Sequence, residues 1–433
     1  MAMTLTLSLS SRGRGVEIVK ILWIKSELLH PVDKGGRIRT YQMLRAMRRK
    51  HHVRYLCLDD GTAAAEAKTL ASEYANEVFT VPFKPPSKGG MRFYGALVAN
   101  LFSRSPYALA RYRSHSLRAH VARLAADVDL VVCDFLAPAE SVPDRLKART
   151  VLFQHNVEAK IWERHVSAAT NPIKRAYLRT QWHKMLRSER AQCLRFDHIV
   201  AVSDTDANTM RRDYGTRSVS YVATGVDLEY FRPRQERKHG GGRIVFVGSM
   251  DWMPNEDGIR WFLVEVLPRV RDTQGNAKLI VVGRSPSAGL RELAARSSVL
   301  EVTGTVPDVR PYLEDAALSI VPLRIGGGTR LKIYEAMAMR VPVVSTSIGA
   351  EGLPLRHGEH LLLADTAQEF ANAITGLLGD PAMGDRLAHA AASHVEDNCG
   401  WDSVAEQFLE QCLASPCPPN SSVQDRTESI SRV

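Results

Sequence analysis

Short runs of apolar, mostly β-branched residues recur along the chain, separated by stretches with helical spacing. Such runs between helices are typical of buried parallel strands. In the first half they occupy residues 16–24, 53–58, 77–81, 129–133, 150–154 and 198–202. In the second half they occupy residues 243–248, 278–282, 299–303, 318–321 and 341–345. This alternation predicts an α/β protein with two doubly wound, Rossmann-like parallel sheets.

A polar, glycine-rich segment over residues 226–242, which contains Pro233, divides the chain and is typical of a domain boundary. We therefore expect an N-terminal domain over 17–225 and a C-terminal domain over 243–398. Ligands of such sheets bind beyond the carboxyl ends of the strands, which here face each other across a cleft. We also expect a flexible leader over 1–16, a C-terminal helix over 399–414 that can pack back on the N-terminal domain, and a disordered tail over 415–433.

The composition is that of a protein with a full-sized core, because 45% of its 433 residues are hydrophobic and 24% are charged. No apolar run approaches the roughly 18 residues that a membrane-spanning helix needs. The six cysteines are scattered, without a CxxC pair or the spacing of a metal site. This pattern favours a reducing cytoplasm and predicts no structural zinc. Because no His/carboxylate cluster is visible either, we expect no other metal, and we expect no cofactor.

The charge is distributed unevenly. Residues 1–233 hold 37 Lys+Arg and 22 Asp+Glu, whereas the rest of the chain has an acidic excess. A basic half favours an anionic partner, and we expect an anionic membrane surface at the cytoplasmic face or a lipid-linked acceptor rather than nucleic acid, since no nucleic-acid-binding motif is present. Residues 174–190 predict a helix rich in Lys and Arg, which is either a packed helix with a solvated basic face or a membrane-surface helix.

The segment 324–345 carries the strongest chemical signal. A strand end is followed by Gly326, Gly327, Gly328 and Thr329, then by a predicted helix that starts near Thr329 or Arg330 and has Lys332 in its first turn. Cations at a helix start oppose the helix dipole, and a bound anion removes that conflict. One turn later, Glu335 can accept hydrogen bonds from sugar hydroxyls. The segment predicts a nucleoside-diphosphate-sugar site; the alternative is a surface glycine loop with solvated charges.

Other candidates stand at predicted strand ends. His155 follows the strand 150–154, where it can reach into the cleft or serve as a capping or core histidine. Gly35 and Gly36 begin a predicted helix after the first strand. Gly248 and Gly283 end two later strands, and each of these two glycines could form a tight turn. Gly304 to Val306 follow another strand, and their backbone could read the edge of a base. Asp204 and Asp206 have the spacing of a metal-binding DxD, but Ser203-Asp204 fits a helix N-cap better.

Several segments together resemble the family 4 retaining glycosyltransferases of the GT-B fold. They are VSD at 202–204, ATGVDLEYFRP at 223–233, VFVG at 245–248, VVG at 281–283, GTV at 304–306, EAMA at 335–338 and VPVVST at 341–346. FVGSMDWMPN at 246–255 with GGGTRLK at 326–332 is similar to a subgroup of bacterial exopolysaccharide sugar transferases.

The resemblance implies a role for each matching position. Gly35 and Gly36 correspond to the glycine loop near the donor phosphate and the acceptor, and His155 corresponds to the histidine that touches the transferred sugar. Residues 304–306 correspond to the loop that holds the base, and Glu335 to the glutamate that binds the ribose. The chain departs from the family at Gly327, where a second glutamate is common, and in 249–254, which lacks a usual basic residue. Arg330 and Lys332 can neutralise the diphosphate instead.

The sequence thus predicts a hexosyltransferase-type enzyme of bacterial exopolysaccharide or related glycan synthesis. We expect Arg330, Lys332 and backbone amides of 327–330 to stabilise the charge that develops on the leaving nucleoside diphosphate, without a metal. The family implies retention at the anomeric carbon. Two alternatives stay open. One is a nucleotide-sugar 2-epimerase on the same fold, and the other is a non-enzymatic nucleotide-sugar-binding protein.

Overall fold

The computed structural model describes residues 18–32, 35–62, 66–84, 91–169, 171–234, 241–325 and 330–414. Each predicted apolar run within these residues forms a strand. The N-terminal strands are β1 (Lys20–Lys25), β2 (His52–Asp59), β3 (Glu77–Pro82), β4 (Leu130–Asp134), β5 (Arg149–Gln154), β6 (His198–Ala201) and β7 (Val219–Tyr221). The C-terminal strands are β8 (Arg243–Val247), β9 (Lys278–Val282), β10 (Leu300–Gly304), β11 (Leu318–Val321), β12 (Val343–Ser345) and β13 (Leu362–Leu363). The apolar pattern did not predict β7 and β13, which are only three and two residues long.

Helices connect the strands and cover both sheets. The N-terminal helices are α1 (Gly35–Arg48), α2 (Glu66–Leu70), α3 (Met91–Leu101), α4 (Tyr107–Ala110), α5 (His115–Leu124), α6 (Glu158–Ala168), α7 (Pro172–Arg195) and α8 (Asp204–Thr209). The later helices are α9 (Met253–Trp261), α10 (Leu267–Thr273), α11 (Ala288–Ala295), α12 (Arg310–Glu314), α13 (Leu331–Ala338), α14 (Ala367–Gly379), α15 (Pro381–Asn398) and α16 (Trp401–Ala414). A π-helical turn, Phe262–Val266, joins α9 to α10, so the helix predicted near 255–271 continues through this segment.

Both sheets are parallel and doubly wound. The N-terminal sheet has the order β3-β2-β1-β4-β5-β6-β7, and the C-terminal sheet has the order β10-β9-β8-β11-β12-β13. The strand order reverses between β1 and β4 in the first sheet and between β8 and β11 in the second. Crevices at such reversals are where ligands of open α/β sheets bind. Lys25 and Asp134, the last residues of β1 and β4, therefore lie at the predicted edge.

The strands are buried on both faces, as their continuous apolar runs require. In β1, Leu22 and Ile24 join the core on one side of the sheet, whereas Ile21 and Trp23 join the core on the other side. In β8 and β9 the same alternation places Phe246 and Val281 on one side and Val245 and Val282 on the other. This period of two follows from the pleat of a strand. Each sheet is consequently the middle layer of a three-layer domain.

The chain crosses back to the N-terminal domain at its last described helix. The backbone N–H of Val226, in the segment between the domains, donates to the carbonyl of Cys399, at 2.8 Å. Helix α16 then packs on α1 and completes the N-terminal core with Trp401, Val404 and Phe408 among others. The predicted leader (1–16) and tail (415–433) lie outside the described residues.

The structure of helix α7 differs in one respect from the predicted helix with a solvated basic face. Lys174, Arg175, Arg179 and Arg187 are exposed, but Lys184 is only 4% exposed and does not belong to the solvated face. Its ammonium donates to the carbonyl oxygens of Asn100 and Leu101, at 2.5 and 3.0 Å. Lys184 therefore holds the end of α3 against α7 by satisfying carbonyls that have no partner within α3.

We expect the replacement Phe408→Ala to lower the free energy of unfolding by about 3–5 kcal/mol, because it leaves a cavity between α16 and the N-terminal sheet. The Phe408 ring is fully buried, and its centroid lies 5.6 Å from that of Trp23 and 5.1 Å from that of Phe153. Urea unfolding followed by far-UV circular dichroism measures the change. Glu410→Ala, on the exposed face of the same helix, is the control and should have little effect. Equal stability of the two variants would contradict this packing.

Candidate functional site

The buried carboxylate of Asp134 organises the N-terminal side of the cleft. One of its oxygens accepts hydrogen bonds from Lys25 Nζ at 2.8 Å, Thr40 Oγ1 at 2.6 Å and Trp23 Nε1 at 3.0 Å. The other oxygen contacts His155 Nε2 at 2.8 Å. Burial alone would raise the pKa of Asp134, but Lys25 and His155 hold it well below its usual range. Asp134 is therefore ionised, and it ties together the ends of β1, β4 and β5.

His155 lies one residue beyond β5, as predicted, and is a neutral base at pH 7. Burial lowers the pKa of His155 to about 4, although the neighbouring Asp134 acts in the opposite direction. Because an ionised carboxylate can only accept, Nε2 carries the proton and donates to Asp134. Nδ1 is then an acceptor. The ring of Phe135 stacks on the imidazole with a centroid distance of 3.9 Å, which fixes the orientation of the ring.

The glycine pair at the start of α1 lies against this histidine. Gly35 is the first residue of α1, as predicted. A Cβ atom on Gly36 would lie 2.9 Å from the Phe135 ring and 4.0 Å from His155 Nδ1. Phe135 has a φ of 71°, in the left-handed region that a bulky residue rarely adopts. A side chain at position 36 would clash with the Phe135 ring, so glycine there lets this ring keep its place on His155.

Glu189 supports the loop that carries His155, and the sequence analysis missed it. Its fully buried carboxylate accepts from the backbone N–H groups of Glu158 and Ala159, at 2.9 and 2.8 Å, at the start of α6. Gln154 and the hydroxyl of Tyr214 donate to the same carboxylate, at 3.1 and 2.6 Å. Glu189 thus caps a helix and fixes both ends of the His155 loop. Its spacing of four from two buried residues of α7, Met185 and Cys193, was the available signal.

On the C-terminal side, Arg330 immediately precedes α13, close to the predicted helix start. Its side chain is 6% exposed. Nη2 donates to the carbonyl of Ile348 at 2.8 Å and lies 3.5 Å from the carboxylate of Glu351. Burial lowers the pKa of Arg330, and Glu351 opposes this change. The guanidinium is held in place by the segment that follows β12.

Lys332, in the first turn of α13, reaches the end of β8. Its ammonium donates to Asn255 Oδ1 at 2.8 Å and lies 4.3 Å from the centroid of the Phe246 ring. A Cβ atom on Gly248 would lie 2.7 Å from Lys332 Nζ, so Gly248 serves close approach rather than a tight turn. Asn255, the residue that ends the FVGSMDWMPN segment, also donates to the carbonyl of Ser249 at 2.7 Å. The sequence analysis assigned Asn255 no role, yet it positions both Lys332 and the turn after β8.

Glu335 lies one turn after Lys332. Its carboxylate accepts no hydrogen bond from the residues that the structure describes. Burial raises the pKa of Glu335 to about 7 and lowers that of Lys332 to about 7, and each group opposes the shift of the other. The pair therefore changes protonation near neutral pH.

The other predicted donor-binding residues divide into two groups. Gly304 ends β10 with a φ of 71°, and Val306, two residues later, packs against the core below the C-terminal sheet. Gly304 thus forms the turn that directs this loop. Gly327, Gly328 and Thr329 lie outside the described residues.

A cavity of about 350 Å³ joins the two sides of the cleft. Arg39, His155, Lys160, Arg164 and Asp206 contribute from the N-terminal domain, and Arg330 and Glu351 contribute from the C-terminal domain. The structure therefore brings together two of the three predicted catalytic residues, His155 and Arg330, around one space. Lys332 and Glu335 do not line this cavity, and they lie on the helix that Arg330 precedes.

The predicted N-cap is confirmed. Ser203 Oγ accepts from the backbone N–H of Asp206 at the start of α8, and the same hydroxyl donates to the Asp206 carboxylate. In the part of the chain that the structure describes, no three His, Cys, Asp or Glu side chains are grouped so that they could hold a metal ion. None of the described helices combines the length and the apolar character needed to cross a membrane.

Comparison with protein families matches both halves of the chain. Residues 34–230 match the model described as Glycosyltransferase Family 4, and residues 241–380 match the model described as Glycosyl transferases group 1. The two matches meet at the segment between the sheets.

Curated relatives share about a quarter of the aligned residues. A D-inositol 3-phosphate glycosyltransferase of Nocardiopsis dassonvillei is 24% identical over 256 residues, which are 54% of this chain and 59% of the relative. An uncharacterized 44.6 kDa protein in the cps region of Klebsiella pneumoniae is 30% identical over 176 residues, or 39% of this chain and 45% of that protein. The chain thus spans about half the length of these relatives.

A solved structure shows the same architecture. The protein Alr3699/HepE of Anabaena, crystallised with UDP, superposes with a TM-score of 0.63 and 15% identity, over 92% of this chain and all of the other. This likeness confirms the predicted GT-B fold of two parallel-sheet domains. A glycosyltransferase model is therefore matched on each side of the cleft, Glycosyltransferase Family 4 in the N-terminal domain and Glycosyl transferases group 1 in the C-terminal domain.

Proposed function

We propose that this protein is a hexosyltransferase that moves a sugar from a nucleoside-diphosphate donor to a saccharide acceptor, with retention at the anomeric carbon. The observation that carries the proposal is the pairing of chemistry across the cleft. A neutral histidine, held by Asp134, stands on one side, and the cations Arg330 and Lys332 stand with Glu335 on the other. The relatives' name as glycosyltransferases and the UDP complex of the Anabaena protein support the same reading.

The chain's own residues perform three tasks in this mechanism. When the bond between the sugar and the diphosphate breaks, negative charge grows on the leaving phosphate, and Arg330 and Lys332 stabilise it. His155 Nδ1 accepts a hydrogen bond from a hydroxyl of the transferred sugar. Glu335 accepts hydrogen bonds from the ribose hydroxyls. No divalent metal is needed in this scheme because two side-chain cations serve the diphosphate.

We further propose that the acceptor is a lipid-linked saccharide, in the synthesis of bacterial exopolysaccharide or a related glycan. Helix α3 and the residue after it expose an apolar stripe consisting of Tyr94, Val98, Leu101 and Phe102, the last 90% exposed. Lys184 holds the end of this helix against α7, the helix that carries the exposed basic residues described above. An exposed apolar stripe together with a basic helix suits the headgroup region of an anionic membrane.

A 2-epimerase is the second candidate, and the acidic side chains of the cavity favour it. Asp206 and Glu351 both line the space near His155. Burial raises the pKa of Asp206, which makes its carboxylate a stronger base. Analysis of products from a labelled donor separates the two activities, because an epimerase releases a changed nucleotide sugar without any acceptor.

The first test concerns the diphosphate site. We expect Arg330→Ala and Lys332→Ala each to weaken UDP binding by about 1.5–3 kcal/mol, the value of a charge-assisted hydrogen bond. Isothermal titration calorimetry measures this, and a repeat in excess chelator should give the same affinity if no metal takes part. Lys278→Ala, at the opposite end of β9, is the control. Unchanged affinity in both cleft variants would remove the phosphate assignment.

The second test uses pH. Lys332 has a lowered pKa of about 7 in the ligand-free protein. An anion binds the protonated form better, so affinity should fall as pH rises from 6.5 to 8.5. The phosphate of UDP also titrates near this range, with a pKa of about 6. The variant Lys332→Arg serves as the reference, because arginine stays charged and its affinity changes with pH only through the titration of other groups, including UDP. The ratio of wild-type to Lys332→Arg affinity should therefore decrease with pH, and a constant ratio would contradict titration of Lys332.

The third test separates the two sides of the cleft. We expect His155→Ala to lower kcat about 10- to 100-fold with little change in UDP affinity, and Glu335→Gln to weaken UDP binding. Initial rates of sugar transfer and calorimetry give the two quantities. Full transfer activity in His155→Ala would show that the histidine does not contact the reacting sugar.

The fourth test concerns the membrane. We expect the protein to sediment with anionic liposomes at low salt, to be released at high salt, and to bind neutral liposomes weakly. The double variant Val98→Asp/Phe102→Asp should lose this binding. Leu293→Asp, which alters an exposed leucine of α11 in the other domain, should keep it. Equal failure of the wild type with both kinds of liposome would favour a soluble acceptor.

A further inference from the structure

Arg39 is a buried cation without a partner. It lies on α1, three residues after Gly36, and its side chain is 3% exposed. Nε and Nη1 have neither solvent nor a hydrogen-bond acceptor, and Arg39 forms no ion pair with the residues that the structure describes. A buried charged group without partners is costly, and such groups are normally paired. Burial lowers the pKa of Arg39 only to about 10, so the guanidinium is charged at pH 7.

The nearby carboxylates do not neutralise Arg39. Asp134 is the largest electrostatic influence on it after burial, but that carboxylate is already engaged by Lys25 and His155. Asp206 accepts a hydrogen bond from Ser203, and Glu351 lies beside Arg330. The aromatic ring of Phe153 has its centroid 6.0 Å from the guanidinium carbon, at the limit of a cation–π contact.

Arg39 lines the cavity that joins the two domains, and this cavity has a surplus of positive charge. Its lining contains four cations, Arg39, Lys160, Arg164 and Arg330. It contains two carboxylates, Asp206 and Glu351. Since His155 is neutral, the lining has an excess of positive charge, and this excess remains when Lys160 is left out because of its ion pair with Glu163 at 3.4 Å. A phosphate group, which carries about −1.5 to −2 as a monoester at pH 7, would offset this excess.

We propose that Arg39 is a phosphate-binding residue and that, together with Arg164 and Arg330, it forms a phosphate subsite spanning the two domains. The subsite deepens the proposed transferase function and rests on it. Arginine suits the role because its planar fork binds two phosphate oxygens at once. The phosphate belongs either to the donor diphosphate or to a phosphorylated acceptor. Both sources share the chemistry, and binding assays distinguish them.

The test uses Arg39→Met, which keeps the length of the side chain but removes its charge, with Arg48→Met on the exposed end of α1 as the control. If Arg39 had a purely structural role, its removal would lower the melting temperature of the ligand-free protein. Because it has no protein partner to lose, we expect a melting temperature equal to or above that of the wild type. Arg39→Lys should restore part of the phosphate affinity, since lysine provides the charge without the fork.

Two binding experiments, a donor arm and an acceptor arm, identify which molecule supplies the phosphate. In the donor arm, titration with UDP and with uridine should show about 10- to 100-fold weaker UDP binding in Arg39→Met and unchanged uridine binding. In the acceptor arm, inorganic phosphate is added to protein saturated with UDP. A phosphate-dependent rise in melting temperature that Arg39→Met lacks would place the acceptor's phosphate here. A loss in either arm supports the subsite.

The inference is overturned if folded Arg39→Met matches the wild type in both arms. If Arg330→Ala still weakens UDP binding in that case, the proposed function stands and only the role of Arg39 is wrong. A wild-type protein that binds neither UDP nor inorganic phosphate would overturn both.

Discussion

The site depends on one buried ion, the carboxylate of Asp134. It draws together an ammonium from β1, a hydroxyl from α1, an indole and the imidazole that follows β5. A carboxylate in this position must have donors, because a buried charge without them is costly. These donors come from three parts of the N-terminal domain: β1 supplies Trp23 and Lys25, α1 supplies Thr40, and the residue after β5 is His155. The ion therefore fixes the relative positions of the strand ends, and it also sets the tautomer of His155.

The two sides of the cleft handle charge differently. Lys332 and Arg330 donate hydrogen bonds to acceptors of their own domain, whereas Nε and Nη1 of Arg39 find no acceptor among the described residues. Burial moves the pKa values of Lys332 and Glu335 toward each other, so their ionised and neutral forms are close in free energy near pH 7. A ligand that carries both an anion and hydroxyl donors can therefore select the ionised pair at small cost. The protonation of the C-terminal side can thus change when a ligand binds, whereas the N-terminal side is held together by the carboxylate of Asp134, which stays ionised.

The fold could be predicted from the sequence because its signal is local. A fully buried parallel strand is a continuous apolar run, so every strand of at least four described residues was visible, and so was the three-residue β12 within the run 341–345. The strand β7 has the polar Ser220 in its middle, and β13 has only two residues. His155 and Gly36 were visible because strand ends and helix starts are local features. The hydrogen-bond partners of the site residues could not be predicted from the sequence. Lys25 and Asp134 are separated by 109 residues, and Lys332 and Asn255 by 77. Such contacts depend on strand order and helix packing, and a single sequence does not encode them in any short pattern.

The return of α16 to the N-terminal domain has a consequence for synthesis. Phe408 packs against Trp23, which donates to Asp134, and against Phe153, two residues before His155. Domains usually fold in order as the chain leaves the ribosome. Here the first domain lacks part of its core until α16 has been made, so one face of its sheet, which α1 also covers, stays incompletely covered while the second domain is translated. A ribosome that stalls before residue 401 thus leaves a nascent chain whose N-terminal domain lacks the part of its core that α16 supplies.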